Sequence, residues 1–271
     1  MALGWKGKAY NQVPHSKNQI HSDKVAKEFG FKGGLVPGVT VSAYLMHPAA
    51  VSHGMEFLER GFAHVQINSP LYDNQNFEVE VQKEAYKIAG SGYRGVLRAE
   101  RANLCATARV RLTAIPIDSP VRRGDEISEK EDMPAMATRE NFEVLRKTGC
   151  RAFRYCWTSD HEMNSYLSDR TKMAKCFNID GYANPSFILG ISNWVLASNV
   201  YMNPWLHMET RSQHYAAIPL DTVLVGEMEI KRMFEKKGHE FVDVMVNIFG
   251  VESNKCFASV ELRAIYKLRQ S

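Results

Sequence analysis

The sequence predicts an α+β fold of two repeats, each an antiparallel sheet wrapped around a central helix. Three observations carry that prediction. Segments of the first half return in the second at a nearly constant spacing. Each half has a near-continuous apolar stretch in its early part. Each half then settles into strict alternation of apolar and polar residues, the period of a strand with one wet face.

The duplication is read from short matches in order. Gly30-Phe31 returns as Gly181-Tyr182, 151 residues later, each ahead of an apolar segment. Pro70-Leu71 returns as Pro219-Leu220 and Glu78-Val79-Glu80-Val81 as Glu227-Met228-Glu229-Ile230, both 149 residues on. Val110 to Ile115 returns as Val260 to Ile265, 150 residues on. The repeats therefore span residues 1–115 and 148–271, with 116–147 as connector.

The elements follow from local chemistry. Val36 to Met46 and Phe187 to Leu196 are apolar on most sides, so each reads as a helix enclosed by other structure. Pro37 and Pro185 stand near their starts, where a missing N–H costs least, and Asn184 suits the second N-cap. Strands are expected where Phe77, Val79 and Val81, then Ala106 to Ala114, then Val242 to Ile248 alternate with polar or outward residues. Arg154 to Thr158 reads as a further strand. Ser119-Pro120, the charged run Arg122 to Asp132 and Pro134 read as a solvated connector, closed by a short helix from Arg139 to Lys147. Two such halves, each with an unsatisfied sheet edge, are expected to join side by side into one long sheet.

The residues ahead of the first helix narrow the reading. Asn18-Gln19-Ile20-His21-Ser22-Asp23, then Ala26, Gly30-Phe31 and Leu35-Val36-Pro37-Gly38 form an ordered series, and Asn68-Ser69-Pro70-Leu71-Tyr72 follows. This series resembles the signature of the MaoC-like (R)-specific enoyl-CoA hydratases, which run Asp-x-Asn-Pro-x-His-x-Asp, then Ala, Gly-Phe, and an apolar pair before His-Gly. The resemblance implies a double hot-dog fold and reversible hydration of trans-2-enoyl thioesters. It implies no cofactor beyond the CoA carried by the substrate.

It also implies a site. His21 takes the family's histidine position, Asn18 the asparagine that shapes the site, and Gly38 the backbone N–H that faces the thioester oxygen. Gly33 and Gly34 stand at the turn into the helix, where backbone permissiveness is needed to let a substrate approach. Three departures stand out: Ser16 occupies the place of the family's acid, Gln19 that of its usual proline, and Pro37 that of the histidine in His-Gly. A serine hydroxyl holds water but is no carboxylate base. In the second half, Asp160 and His161 stand at the matching point before the enclosed helix and form a second candidate pair. Asp160 with Asn164 and Tyr166-Leu167 is also similar to a pattern of hot-dog acyl-CoA thioesterases, in which Asp160 would activate water. Hydratase or dehydratase, thioesterase, and a non-catalytic acyl-CoA or lipid binder all stay open.

Other residues read as structural. His64, His207 and His214 fall on expected strands, where packing or hydrogen bonding is the ordinary role of a histidine. Met202, Trp205 and Met208 are expected to fill core, and Cys156 to be a buried inert thiol. Five cysteines without a CxxC pair suggest neither a disulfide framework nor a metal site. With 34 basic against 30 acidic residues the chain is too balanced for a nucleic-acid partner. No membrane association is expected, the cytoplasm is the default address, and a homodimer is compatible with the fold.

Overall fold

The structure, a computed structural model, describes residues 4–86, 90–113, 117–128 and 133–269. Met1 to Leu3, the end of the first repeat at Ala114 and Ile115, and Glu129 to Asp132 of the charged run lie outside the described residues.

The first half contains β1 (Trp5–Lys8), α1 (Asp23–Glu28), α2 (Gly38–His53), α3 (Met55–Arg60), β2 (Gly61–Ile67), β3 (Asn76–Tyr86), β4 (Gly90–Ala99) and β5 (Leu104–Leu112). After α4 (Arg139–Thr148), the second half contains β6 (Phe153–Cys156), α5 (Lys175–Asn178), α6 (Pro185–Asn199), β7 (Leu206–His214), β8 (Val223–Lys236), β9 (His239–Gly250) and β10 (Cys256–Lys267). The ten strands form one antiparallel sheet in the order β1-β3-β4-β5-β2-β7-β10-β9-β8-β6. Read outward from the β2–β7 seam, the two halves have the same order, so the predicted side-by-side joining is what the chain does.

Register confirms the duplication. Val79 pairs with Leu97, and Met228, 149 residues beyond Val79, pairs with Val246, 149 beyond Leu97. The turn after β9 is longer than that after β4, so Leu97 faces Ala106 while Val246 faces Val260, a shift of four from the spacing seen in the sequence. Both repeated glycines have positive φ, +82° at Gly30 and +75° at Gly181. Each ends a short helix, α1 or α5, in the left-handed region that glycine enters without a Cβ penalty.

Each half wraps its sheet around one helix. In α2 every residue from Val39 to Ala50 is buried, and in α6 every residue from Pro185 to Ser192. The helices pack on each other across the seam, where the Gln12 Oε1 accepts from the hydroxyls of Thr40 and Ser186. One continuous apolar core crosses both halves. Among the described residues no helix is long and apolar enough to cross a membrane.

Two expectations are corrected. The connector is not simply solvated: the backbone N–H groups of Arg123, Gly124 and Asp125 donate to the Glu227 carboxylate at 2.8, 2.8 and 3.0 Å. Glu227 is buried, and a buried carboxylate must find donors, so it docks this stretch onto β8. Its counterpart in the first repeat, Glu78, pairs with Lys6 near solvent. Cys156 is exposed rather than buried, because β6 is an edge strand whose alternation turns Tyr155 inward and Cys156 out.

Candidate active site

A cavity of about 740 Å³ opens between the N-terminus of α2 and the start of β7. Its walls are largely apolar, with Ile20, Leu35, Val36, Val41, Ile67 and Leu71 from the first half and Trp205, Leu206, Met208 and Ile265 from the second. Such a pocket, greasy with a few directed polar groups, suits a small ligand with an apolar body.

His21 is fixed in it from three sides. It ends a single turn of 3₁₀ helix, Gln19–His21. Its carbonyl accepts from the Asn11 amide at 2.9 Å, and its Nδ1–H donates to the Leu35 carbonyl at 2.7 Å. A carbonyl can only accept, so Nδ1 carries the proton, and the Nε2 lone pair of the neutral ring has no partner among the described residues. Burial pushes the His21 pKa down to about 4, the bond to Leu35 opposing it. At neutral pH the ring is therefore an uncharged base.

The two glycines before the helix hold this histidine in place. Gly34 donates its N–H to Asp23 Oδ1 at 2.7 Å, and a Cβ on Gly34 would stand 2.2 Å from the His21 carbonyl oxygen. A Cβ on Gly33 would meet the same Asp23 carboxylate at 3.0 Å. Neither Gly33 nor Gly34 lines the cavity, so both act through the backbone of the loop. Gly38 does line it, packed so closely on His207 that a Cβ would lie 2.8 Å from the ring.

Asn18 also lines the cavity, but its amide is spent on the Trp205 backbone: Nδ2 donates to the carbonyl at 3.1 Å and Oδ1 accepts from the N–H at 3.2 Å. It ties the loop of the first half to the residue just ahead of β7 in the second. Ser16 donates its hydroxyl to the Asn18 carbonyl at 3.0 Å and serves the same turn.

The two helix starts differ. Asn184 caps α6, its Oδ1 accepting from the N–H groups of Ser186 and Phe187 at 2.9 and 3.3 Å. Pro37 offers α2 no side-chain cap. The N–H of Gly38, which lines the cavity, has no intrahelical partner and stands at the positive end of the helix dipole.

Asp160 and His161 do not line this cavity. Asp160 is exposed, its pKa lowered chiefly by a hydrogen bond to Thr158. His161 is packed among Trp157, Phe187 and Trp194, with Nδ1 accepting from the Met163 N–H at 3.0 Å. Burial lowers its pKa. The structure therefore brings together His21, Asn18 and Gly38, and sets Asp160 with His161 apart.

Two cavity residues escape sequence reasoning. His207 looks like an outward strand residue in phase with Glu209, but a bulge at Met208 reverses the phase: Glu209 faces Arg263, while His207 faces Ala264 and turns inward. Its Nδ1–H donates to Asn193 Oδ1 at 3.0 Å, and its Nε2 accepts from the Thr210 hydroxyl. Asn193 lies within an apolar helix and carries no periodic signal. Trp205 and Met208, expected to fill core, also form cavity wall. His64 remains on the outer face, bonded to Glu209 at 2.7 Å.

No protein-family model and no curated protein sequence matches the chain. Solved structures do. A conserved hypothetical protein of Mycobacterium tuberculosis described as having a double hot-dog fold superposes with a TM-score of 0.61 at 11% identity, covering 98% of this chain and 95% of that one. The fold is a double hot dog. A tesB protein of Mycobacterium avium subsp. paratuberculosis gives 0.58 at 10% identity, over 98% and 93% of the two chains. A MaoC domain protein dehydratase of Chloroflexus aurantiacus gives 0.58 at 9%, over 100% and 97%. The double hot dog thus embraces the whole chain, with the cavity at the seam between its halves.

Proposed function

We propose that the cavity takes an acyl thioester and that the chain catalyses its reversible hydration or dehydration, a lyase reaction. The observation that carries this reading is the lone pair of His21 Nε2, held free by the Nδ1–H bond to Leu35 beside the uncapped start of α2. Double hot-dog neighbours named as dehydratases and as a tesB protein support thioester chemistry in general. The choice of lyase rests on the walls: the described residues lining the cavity include no carboxylate to activate water for hydrolysis.

One imidazole is enough for elimination. The thioester oxygen of a 3-hydroxyacyl substrate faces the N–H of Gly38 at the start of α2. His21 Nε2 takes the proton from the α-carbon, and the C–H electron pair becomes an enolate on that oxygen. As the pair returns to form the α,β double bond, the bond from the β-carbon to oxygen breaks. The departing hydroxyl takes the proton from His21 and leaves as water, which restores the neutral ring. Hydration is the reverse. The burial that keeps His21 uncharged makes an isolated imidazolium costly, so the enolate beside it must share the charge.

Incubation with crotonyl-CoA and with saturated acyl-CoAs, following enoyl absorbance and free thiol separately, tests the proposal. Loss of enoyl signal without thiol is expected. Thiol release from the saturated substrate would replace the lyase with a thioesterase, and binding with neither change would make the protein a carrier.

A further inference from the structure

The wall opposite His21 is built by the second half, and its polar part is a relay of three side chains. His207 Nδ1 stands 3.0 Å from Asn193 Oδ1, and an amide oxygen can only accept, so Nδ1 of the neutral ring carries the proton. Nε2 is then an acceptor, and Thr210, buried on the inner face of β7, donates its hydroxyl to it. Burial, with His21 nearby as a second cause, pushes the His207 pKa down to about 3, so neither nitrogen changes its role in ordinary conditions.

The consequence falls on Asn193. With Oδ1 committed to His207, the amide must turn its NH₂ the other way. Asn193 lines the cavity, and its NH₂ has no partner among the described residues and is not sealed from the open space. This arrangement is not inherited from the repeat. Matched by the starts of the two helices, which lie 147 residues apart, Asn193 of α6 stands level with Met46 of α2, which is buried in core. A polar donor placed where the sister helix has an apolar side chain, and oriented by two buried groups, is a recognition element.

We infer that Asn193 is a substrate-binding residue whose amide donates to an oxygen on carbon 3 of the acyl chain, so that the cavity prefers a 3-oxygenated acyl thioester. The inference rests on the proposed thioester reading and adds the feature by which the cavity separates an oxygenated chain from a plain one. His207 and Thr210 are positioning residues, acting through the orientation of the amide. The donor also holds the hydroxyl in place while His21 returns its proton.

Affinities of 3-hydroxybutyryl-CoA and butyryl-CoA for the full chain carrying His21→Ala, in which turnover is slowed enough for binding to be read, test this. The hydroxylated ligand is expected to bind roughly five- to tenfold tighter, the worth of one hydrogen bond. Adding Asn193→Ala should erase that preference and leave butyryl-CoA binding within about twofold of its value. Thr210→Val, which frees the His207 tautomer and with it the amide, should weaken the preference, and Thr210→Ser should restore it. Equal affinity for the two ligands, or a preference untouched by Asn193→Ala, would overturn the inference and leave the thioester reading standing. If the alanine variant loses butyryl-CoA binding, the nearly isosteric Asn193→Leu decides: loss there too makes Asn193 a structural residue and ends the proposal. Failure of the His21→Ala chain and of the unmodified protein to bind either ligand would instead strike down the thioester reading itself.

Discussion

The Nδ1–H of His21 donates to the Leu35 carbonyl at 2.7 Å, a bond between the two ends of the loop that precedes α2. It decides both the direction of the ring and which nitrogen is free. Removing the ring by His21→Ala should lower kcat by about 10²–10⁴, the usual contribution of a positioned acid–base group, with butyryl-CoA affinity little changed. Steady-state kinetics beside a binding isotherm would separate these effects.

Gly34 controls that same ring through the backbone. A Cβ there would stand 2.2 Å from the His21 carbonyl oxygen, too close for either atom to remain in place. Gly34→Ala should cost about 2–3 kcal/mol of stability and reduce turnover further than the stability loss explains. Urea titration and kcat measured on the folded fraction check both parts.

Acid should destabilise the chain before it titrates the site. Burial lowers His47 and His214 to about 4 and His207 to about 3, from 6.5 in an open chain. The unfolded state therefore binds protons that the native state refuses, and stability present above pH 6.5 is lost as pH falls toward 4. Each group contributes on the order of 3 kcal/mol across that window, a large share of the stability of a typical domain. Circular dichroism against pH should show unfolding between these limits, with turnover holding steady from neutral pH down to the onset of unfolding.

His214 allows a sharper version. It is 1% exposed, packs on Phe57 and has no hydrogen-bond partner at either ring nitrogen among the described residues. His214→Leu removes two unpaired polar atoms from the core and should raise stability at pH 7 by about 1–2 kcal/mol while moving acid unfolding to lower pH. A loss of stability, or an unchanged acid midpoint, would contradict this.

Asn184 is the remaining stability test. Its amide caps α6 and also donates to the Met163 carbonyl at 2.8 Å. Asn184→Ala should cost about 2 kcal/mol by thermal or chemical denaturation, more than a surface cap, because both partners are buried.

Much of this architecture was legible in the residues. The pairing of Val79 with Leu97, repeated at Met228 and Val246, lies beneath the recurrence of Glu78–Val81 as Glu227–Ile230. Asn184 and Pro185 mark the start of α6, and the apolar runs mark both enclosed helices. His21, Asn18 and Gly38 meet at one cavity because one loop carries them all. Asp160 and His161 looked equivalent by position, but exposure of the one and aromatic packing of the other depend on long-range neighbours. His207 was hidden by a bulge, which inverts the period on which strand reading rests. Asn193 was hidden because an amide in an apolar helix acquires meaning only beside His207, which lies in a different element.

The central claim, that His21 moves a proton at the α-carbon of a bound thioester, is tested most directly by isotope exchange. 3-Hydroxybutyryl-CoA is incubated with the protein in deuterium oxide, and label at the α-carbon is followed by NMR. The account predicts deuterium at that position with the unmodified chain and none above background with His21→Ala. Exchange that persists in the variant, or a substrate that the unmodified chain binds but leaves unlabelled, would contradict it.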